Sequence, residues 1–469
     1  MDSALLEYSY TLVTVLFLAG VLRFTHAKPK TRKKHMVIWG LFGFAFNLYS
    51  LSWLYTVYPL AWIPEGYMQL LGISILHVTS AFIAGLAFTI TGLAFHTRIP
   101  SSYKPLVFAG LLATSEVLRS LFLTTLFSGN GGEVGLHWAA GTIGNALSTT
   151  PFIEYAYFGG PYMLTFIIGC IVYICLSKTN FKEYQHYLVL IILGLLAIHF
   201  LIPVRGPKTP IRISVITTDF KTPPTSQNIT PVFREQWKTV NAMTLSLASS
   251  SPSIVVYPED TRYTEQFTQE NKQALVSSLG KVLLVDGTTQ KFKEGTSNYS
   301  VFYSSETQKY IGRGKSFLFP FNEYVPVLFE SIFRIFVHGT VLDDYIRLHT
   351  YIPQSFIGTF TYDGMRIGTL ICSEILSFDV IKRLEVTSPD VVIFQAHLNV
   401  FHDNPWFVMH LRSFTKIAAA QLRTPLIGTA NSAPSYVISP YGSILFSTDT
   451  GFSTRTYTFY KDSVKALSK

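Results

Sequence analysis

Three residues in the second half of the chain have the types needed for covalent acyl chemistry: Glu259, Lys315 and Cys372. Glu259 closes the run Ser253-Ile-Val-Val-Tyr-Pro-Glu259, a buried-strand pattern that ends in proline and then presents a carboxylate. Lys315 opens Gly314-Lys315-Ser-Phe-Leu-Phe-Pro320-Phe-Asn-Glu323-Tyr-Val-Pro326, an aromatic, proline-bounded run with a charge near each end. Cys372 closes Arg366-Ile-Gly-Thr-Leu-Ile-Cys372 and is followed by Ser373 and Glu374. Singly, each has an ordinary explanation. A glutamate at a strand's end is often a solvated loop residue, and a free cysteine is usually a small buried hydrophobe. Together they make a complete apparatus. The thiolate is the nucleophile and an adjacent ammonium lowers its pKa. A carboxylate takes the thiol proton and returns it to a leaving group. The ammonium also stabilises the oxyanion of a tetrahedral intermediate, so the trio suits acyl transfer through a thioester.

The elements that must position these residues are short apolar runs. Strands are expected at 211–217, 253–257, 282–285, 300–303, 365–371, 391–394 and 425–429, and helices at 231–248, 264–278 and 406–421. Strands alternating with helices give an α/β domain. Tyr362-Asp363-Gly364 and Pro440-Tyr441-Gly442 read as hairpin turns. No metal-ligand spacing is evident. His397 and His402 read as solvated or supporting residues, and no metal or other cofactor is expected.

The first half has a different character. The chain of 469 residues is 48% hydrophobic and 14% charged, with a mean hydropathy of +0.31. An ordinary soluble domain is about 25% charged. A spanning helix needs about 20 mostly apolar residues, and six candidates appear at 8–24, 36–56, 68–94, 105–126, 161–176 and 187–204. The third is long and is expected to tilt or break near His77. The first lacks a basic leader and reads as a retained span. Two domains follow: a membrane domain over 1–204 and a catalytic domain over 205–469.

A net charge of +9 raises nucleic acid as a partner, but much of it sits in one cluster of Lys28, Lys30, Arg32, Lys33 and Lys34 between two spans. Further Lys and Arg fall at Arg98, Lys104, Lys178 and Lys182, whereas 1–7, 57–67 and 127–160 hold none. This bias puts the N-terminus and, after six spans, the second domain outside the cytoplasm, and it argues against nucleic acid. Within span four, Glu116 and Arg119 share a helix face, as a structural ion pair or a functional site. The polar stretch 135–160 is expected on the outer membrane surface. Cys170 and Cys175 read as packing residues, which leaves Cys372 without a local disulfide partner.

The three motifs, in this order, resemble the nitrilase (carbon–nitrogen hydrolase) superfamily and, within it, the apolipoprotein N-acyltransferase family. The loop Lys315-Ser-Phe-Leu-Phe-Pro-Phe-Asn-Glu-Tyr-Val-Pro326 is similar to that family's lysine loop. Further matches are Ser297-Asn298-Tyr-Ser, Asn404-Pro405-Trp406-Phe407, Gly428-Thr-Ala-Asn431, the segment from Phe42 to Trp53, and Ser115-Glu116-Val-Leu-Arg119. Departures are Ser373 for the usual Tyr, Asn322 for Gly, Tyr257 for Trp, and a polar 454–469 where the family commonly has a last span. The resemblance implies a multi-span helical membrane domain joined to an α-β-β-α sandwich in a bacterial cytoplasmic membrane, with the catalytic domain on the extracytoplasmic side. It implies transfer of a fatty acyl chain from a phospholipid to the amino group of a diacylglyceryl-cysteine lipoprotein. Cys372 would be the nucleophile, Glu259 the base and Lys315, with the Ser373 N–H, the oxyanion site. Glu323 and Glu374 would orient the site, and Trp406 and Phe407 would bind substrate. A membrane-tethered hydrolase with the same triad, and a noncatalytic scaffold, are the competing readings.

Overall fold

Apolar runs long enough to cross a bilayer become helices because a helix satisfies all its own backbone groups. In the computed structural model six helices among the described residues meet that requirement: α1 (Ser3–His26), α2 (Arg32–Ser50), α3 (Gly66–Phe88), α4 (Lys104–Leu126), α5 (Ala156–Leu176) and α6 (Phe181–Leu201). The structure describes residues 3–26, 31–58, 66–129, 134–176, 181–220, 231–304, 311–320, 322–336, 350–355, 358–401 and 404–459, with scattered positions between 336 and 350. Lys28, Lys30, Lys178 and His402 lie outside the described residues.

The chain divides into two units. The first comprises Met1–Phe127, Val134–Pro203 and Asn404–Gln421. Its core is aromatic, with Trp39 packed against Phe42 and Phe108 at ring separations of 5.2 Å. The expected break near His77 is corrected here. α3 runs unbroken through His77, whose Nε2 meets the Leu48 carbonyl at 3.0 Å, and gives way to a 3-10 turn only at Thr89. The stretch after α4 is buried from His137 to Leu147. The ion pair of span four explains why. Arg119 Nε meets Glu116 Oε2 at 2.7 Å, Arg119 Nη1 donates to the Ala140 carbonyl at 2.8 Å, and Ile143 N donates to Glu116 Oε1 at 2.8 Å. The pair therefore serves the buried backbone of that stretch.

The second unit comprises Ser128–Glu133, Val204–Asp403 and Leu422–Lys469. Its first sheet uses β1 (Ile211–Thr217), β2 (Ile254–Val256), β3 (Leu283–Lys291), β4 (Thr296–Ser304) and β5 (Ile311–Gly314). The second uses β6 (Thr359–Tyr362), β7 (Met365–Ile371), β8 (Val391–His397), β9 (Leu426–Asn431), β10 (Tyr436–Ile438) and β11 (Ile444–Ser447). Strand β12 (Ser453–Phe459), unforeseen in the sequence, joins the first sheet along the whole length of β1. The orders are β12-β1-β2-β3-β4-β5 and β11-β10-β9-β8-β7-β6, with β1–β3 and β7–β9 parallel.

Ile213, Val215, Ile254 and Val285 of one sheet share a core with Ile367, Val391, Ile393 and Ile427 of the other. On the far face of the first sheet, Val255 and Leu284 pack with Val240 of α7 (Pro231–Ser246) and Val276 of α8 (Gln269–Leu279). α10 (Phe378–Val386), which follows α9 (Val327–Phe336), covers the second sheet through Leu384. The unit is an α-β-β-α sandwich. Asp363 and Gly364, at φ +50° and +73°, make the two-residue turn between β6 and β7, a geometry that favours glycine.

One boundary is corrected. Helix α11 (Pro405–Leu422) packs with the membrane helices rather than the sandwich: Arg412 Nε lies 3.1 Å from Glu7 Oε1, and Lys416 pairs with Glu7 Oε2.

Candidate active site

The parallel strands of both sheets deliver their ends to one place, the position where open α/β sheets gather ligand-binding residues. β2 is wholly buried, and Tyr257 after it stacks on Tyr263 at 4.8 Å. The Tyr257 carbonyl accepts from Gln395 Nε2 at 2.6 Å and Thr429 Oγ1 at 3.1 Å. That fixes the peptide from which Glu259 projects. Beyond it the chain turns sharply, with Asp260 and Arg262 both at positive φ. The turn sits so close to β3 that a Cβ on Gly287 would come within 2.6 Å of Glu259 Cα.

Lys315 follows β5, and its N–H donates to the Asn298 carbonyl of β4 at 2.8 Å. The loop after it folds on itself through Glu323, whose Oε2 accepts from Phe319 N at 2.6 Å. Cys372 follows β7 at φ +48°, a left-handed position that a non-glycine residue holds at a cost. Such backbone strain concentrates at functional sites.

These elements bring the three residues together. The Cys372 thiol and the Glu259 carboxylate are close enough to act on each other electrostatically. Lys315 Nζ lies 3.6 Å from Glu259 Oε1 and 2.7 Å from Glu323 Oε1. Lys315 is 1% exposed, whereas Cys372 is partly exposed. Glu259 also accepts from Asn298 Nδ2 at 3.0 Å and from the His397 backbone N–H at 3.0 Å.

Burial pushes the Glu259 carboxyl up to about 7, against the pull of Lys315. Burial works against the Lys315 ammonium too, but Cys372, Glu323 and Glu259 outweigh it and raise its pKa. Burial, then Glu259, raises the Cys372 thiol by more than Lys315 offsets. Lys315 lowers the thiol as expected, but burial and Glu259 act against it and raise it overall, and a carboxyl raised toward neutrality lies beside it.

The supporting residues divide. Glu323 holds Lys315 directly. Glu374 does not touch it. Its carboxylate takes Arg313 Nη2 at 3.0 Å, Ser316 N at 2.7 Å and Ile371 N at 2.8 Å, so it ties the lysine loop to the cysteine strand. Burial opposes that charge, and Arg313 with Ser316 overcomes it, holding Glu374 below the usual carboxylate range. Ser373 Oγ donates to the Phe317 carbonyl at 2.7 Å.

The first 174 residues match the family described as the apolipoprotein N-acyltransferase N-terminal domain. The chain resembles the apolipoprotein N-acyltransferases. The one from Aquifex aeolicus (strain VF5) is 26% identical over 203 residues, 43% of this chain and 43% of that protein, so the match spans under half of the relative. Among solved structures, the NitFhit protein of C. elegans superposes with a TM-score of 0.42 at 14% identity, covering 56% of this chain and 63% of that one. Nit3 of Saccharomyces cerevisiae, a nitrilase-superfamily member, gives 0.40 at 13%, covering 56% and 95%.

Trp406 and Phe407 lie in the helical unit. Trp406 meets Tyr49 at 5.5 Å and Tyr10 at 5.9 Å, and Phe407 meets Trp53 at 4.9 Å. These contacts are packing within that unit. Two residues at the site carried no role in the sequence reading: Asn298 and Arg313. The available signal was a buried polar side chain in a strand-forming run, a position β-propensity disfavours for asparagine. Among the described residues no cluster of His, Cys, Asp or Glu has metal-binding geometry, and burial keeps His397 below its ordinary pKa.

Proposed function

We propose that this chain is a membrane-bound N-acyltransferase that moves a fatty acyl group from a phospholipid to the terminal amine of a diacylglyceryl-cysteine lipoprotein. The observation that carries this reading is Lys315 Nζ 3.6 Å from Glu259 Oε1, with the Cys372 thiol beside the same carboxylate, in a chain whose first 174 residues match the N-terminal domain of the acyltransferase family.

Cys372 Sγ attacks the ester carbonyl as Glu259 takes the thiol proton. The oxyanion that forms is met by the Lys315 ammonium, which Glu323 keeps charged and in place. The carbon–oxygen bond breaks, Glu259 returns its proton to the departing alkoxide, and the lysophospholipid leaves. The acceptor amine then attacks the thioester while Glu259 takes a proton from its nitrogen. The amide forms, and the released thiolate is reprotonated.

Six spans favour such substrates, because each acyl CH₂ costs about 0.8 kcal/mol to draw into water. The Lys and Arg bias supports placing the sandwich on the extracytoplasmic side.

The test is intact-mass analysis of protein purified from membranes, followed by incubation with labelled phospholipid and a diacylglyceryl peptide. The expected result is an acyl adduct on Cys372 that is passed to the peptide amine. Release of free fatty acid with no peptide acylation would assign hydrolysis instead.

A further inference from the structure

The geometry points to Asn298 as the positioning residue that gives the two buried glutamates different tasks, leaving Glu259 to act as base while Glu323 carries the lysine. The inference rests on the acyl-transfer reading above. Asn298 lies within β4 and is 8% exposed. Its Nδ2 stands 3.0 Å from Glu259 Oε1 and 3.0 Å from Glu323 Oε1. A primary amide has two N–H groups, and here each meets a separate carboxylate.

The orientation of the amide follows from its neighbours. Ionised carboxylates only accept, so the nitrogen must face them, and Oδ1 is left 3.2 Å from Thr289 Oγ1, whose single hydrogen is shared with Asp260 Oδ1 at 2.9 Å. The Asn298 backbone carbonyl holds Lys315 N. One residue therefore touches both carboxylates and the backbone of the lysine.

The consequence is an asymmetry that the charges alone would not produce. Lys315 sits 0.9 Å nearer Glu323 than Glu259, the difference between 2.7 and 3.6 Å. A neutral donor serves Glu259 where a second contact from the ammonium would otherwise be drawn. The groups facing Glu259 are Lys315, Glu323, Asp260, Cys372 and Tyr351. Asp260 is met by Arg262 Nε at 2.6 Å, and His397 offers its backbone N–H. Asn298 thus favours the ionised base without adding a cation that would pin it.

The test is the pH dependence of acyl-adduct formation on Cys372, read by intact mass in the full-length protein and in Asn298→Leu and Asn298→Asp. Losing one hydrogen bond to an ionised carboxylate raises its pKa, so the limb on which the rate rises should move up by about one pH unit in Asn298→Leu. It should move further in Asn298→Asp, where a third carboxylate joins the pair. Asn298→Asp is isosteric and supplies the measurement if the leucine variant does not fold. A lower plateau with an unmoved limb in either variant would reduce Asn298 to packing and overturn the inference. Alkylation of Cys372 by iodoacetamide over the same pH range separates this from the function. If the wild type takes no acyl group, the transfer reading fails, while the alkylation limb still reports whether Asn298 tunes Glu259.

Discussion

Replacing Arg313 with methionine isolates the contact that ties the lysine loop to the cysteine strand. Arg313 is 3% exposed, and its guanidinium meets Glu374 through Nη1 at 2.5 Å and Nη2 at 3.0 Å. Methionine keeps much of the volume and removes the cation. Stranding one member of a buried pair costs about 3–5 kcal/mol. Here three donors remain on the carboxylate, Ser316 N, Ser316 Oγ and Ile371 N, at 2.7, 2.6 and 2.8 Å. They place the expected loss at the lower end, about 3 kcal/mol. For a unit of this size that is roughly 6–12 °C in Tm. The pH dependence carries a sign. Glu374 is held below its ordinary pKa in the folded protein. A depressed carboxyl contributes stability that is present above the unfolded pKa and lost as pH falls through the folded one. Without Arg313 the folded pKa rises, the carboxyl neutralises earlier, and the deficit against wild type narrows on acidification. Thermal unfolding of the detergent-solubilised proteins, followed by proteolysis within 204–403, at about pH 7.5 and about pH 4.5 reads both effects. Equal midpoints at the higher pH, or a deficit that widens at the lower one, would refute the reasoning.

Other expectations follow from the same geometry. Cys372→Ala and Glu259→Ala should abolish both the adduct and peptide acylation, and Lys315→Ala should lower them by roughly a hundredfold or more; near-normal labelling by any of them removes that residue's role. The rate of adduct formation should rise with pH and reach half its maximum near the Glu259 value of about 7, since only the ionised carboxylate accepts the thiol proton. A profile flat across about pH 5 to 8 contradicts that. Gly287→Ala places a Cβ 2.6 Å from Glu259 Cα. It should cost about 1–3 kcal/mol and displace the base, so wild-type turnover in this variant would mean the turn is not fixed as described. Arg119→Met leaves Glu116 buried beside the backbone it serves. Its accumulation in membranes should fall, with partial recovery in Glu116→Gln/Arg119→Met, as expected when the cost is an unpaired buried charge; a double variant worse than the single one would argue for a functional charge.

Strands β1, β2, β7, β8 and β9 were legible as short, largely apolar runs, whereas β5, which leads to Lys315, was not among those expected. Expected strands at 211–217 and 365–371 coincide with β1 and β7, and the others fall within a few residues of β2, β3, β4, β8 and β9. β12 was missed for the opposite reason. Thr454, Thr456 and Thr458 alternate with Arg455, Tyr457 and Phe459, and an edge strand that is half exposed shows only that weak period of two. α11 was recognised as a helix but not as part of the helical unit. Its partner for Arg412 and Lys416 is Glu7, 409 residues from Lys416, and no local pattern announces such a pairing.

The same limit explains which residues of the proposed site the sequence singled out. A nucleophile, a base and a cation announce themselves by type at the ends of strands. Asn298 and Arg313 act through register: Ser300 stands opposite Arg313 and Tyr299 opposite Gly314, which puts Asn298 next to Lys315 and across from Glu259. Register belongs to the sheet, and one sequence does not print it. It also decides the chemistry. On the proposed reading, with burial and Glu259 raising the thiol, proton transfer to Glu259 at the moment of attack supplies the reactivity. That places the demand on Glu259, which must be ionised beside a second carboxylate and close to, but not seized by, an ammonium. The lysine's shorter bond to Glu323 and the amide's shared bonds to both glutamates are the arrangement that meets it.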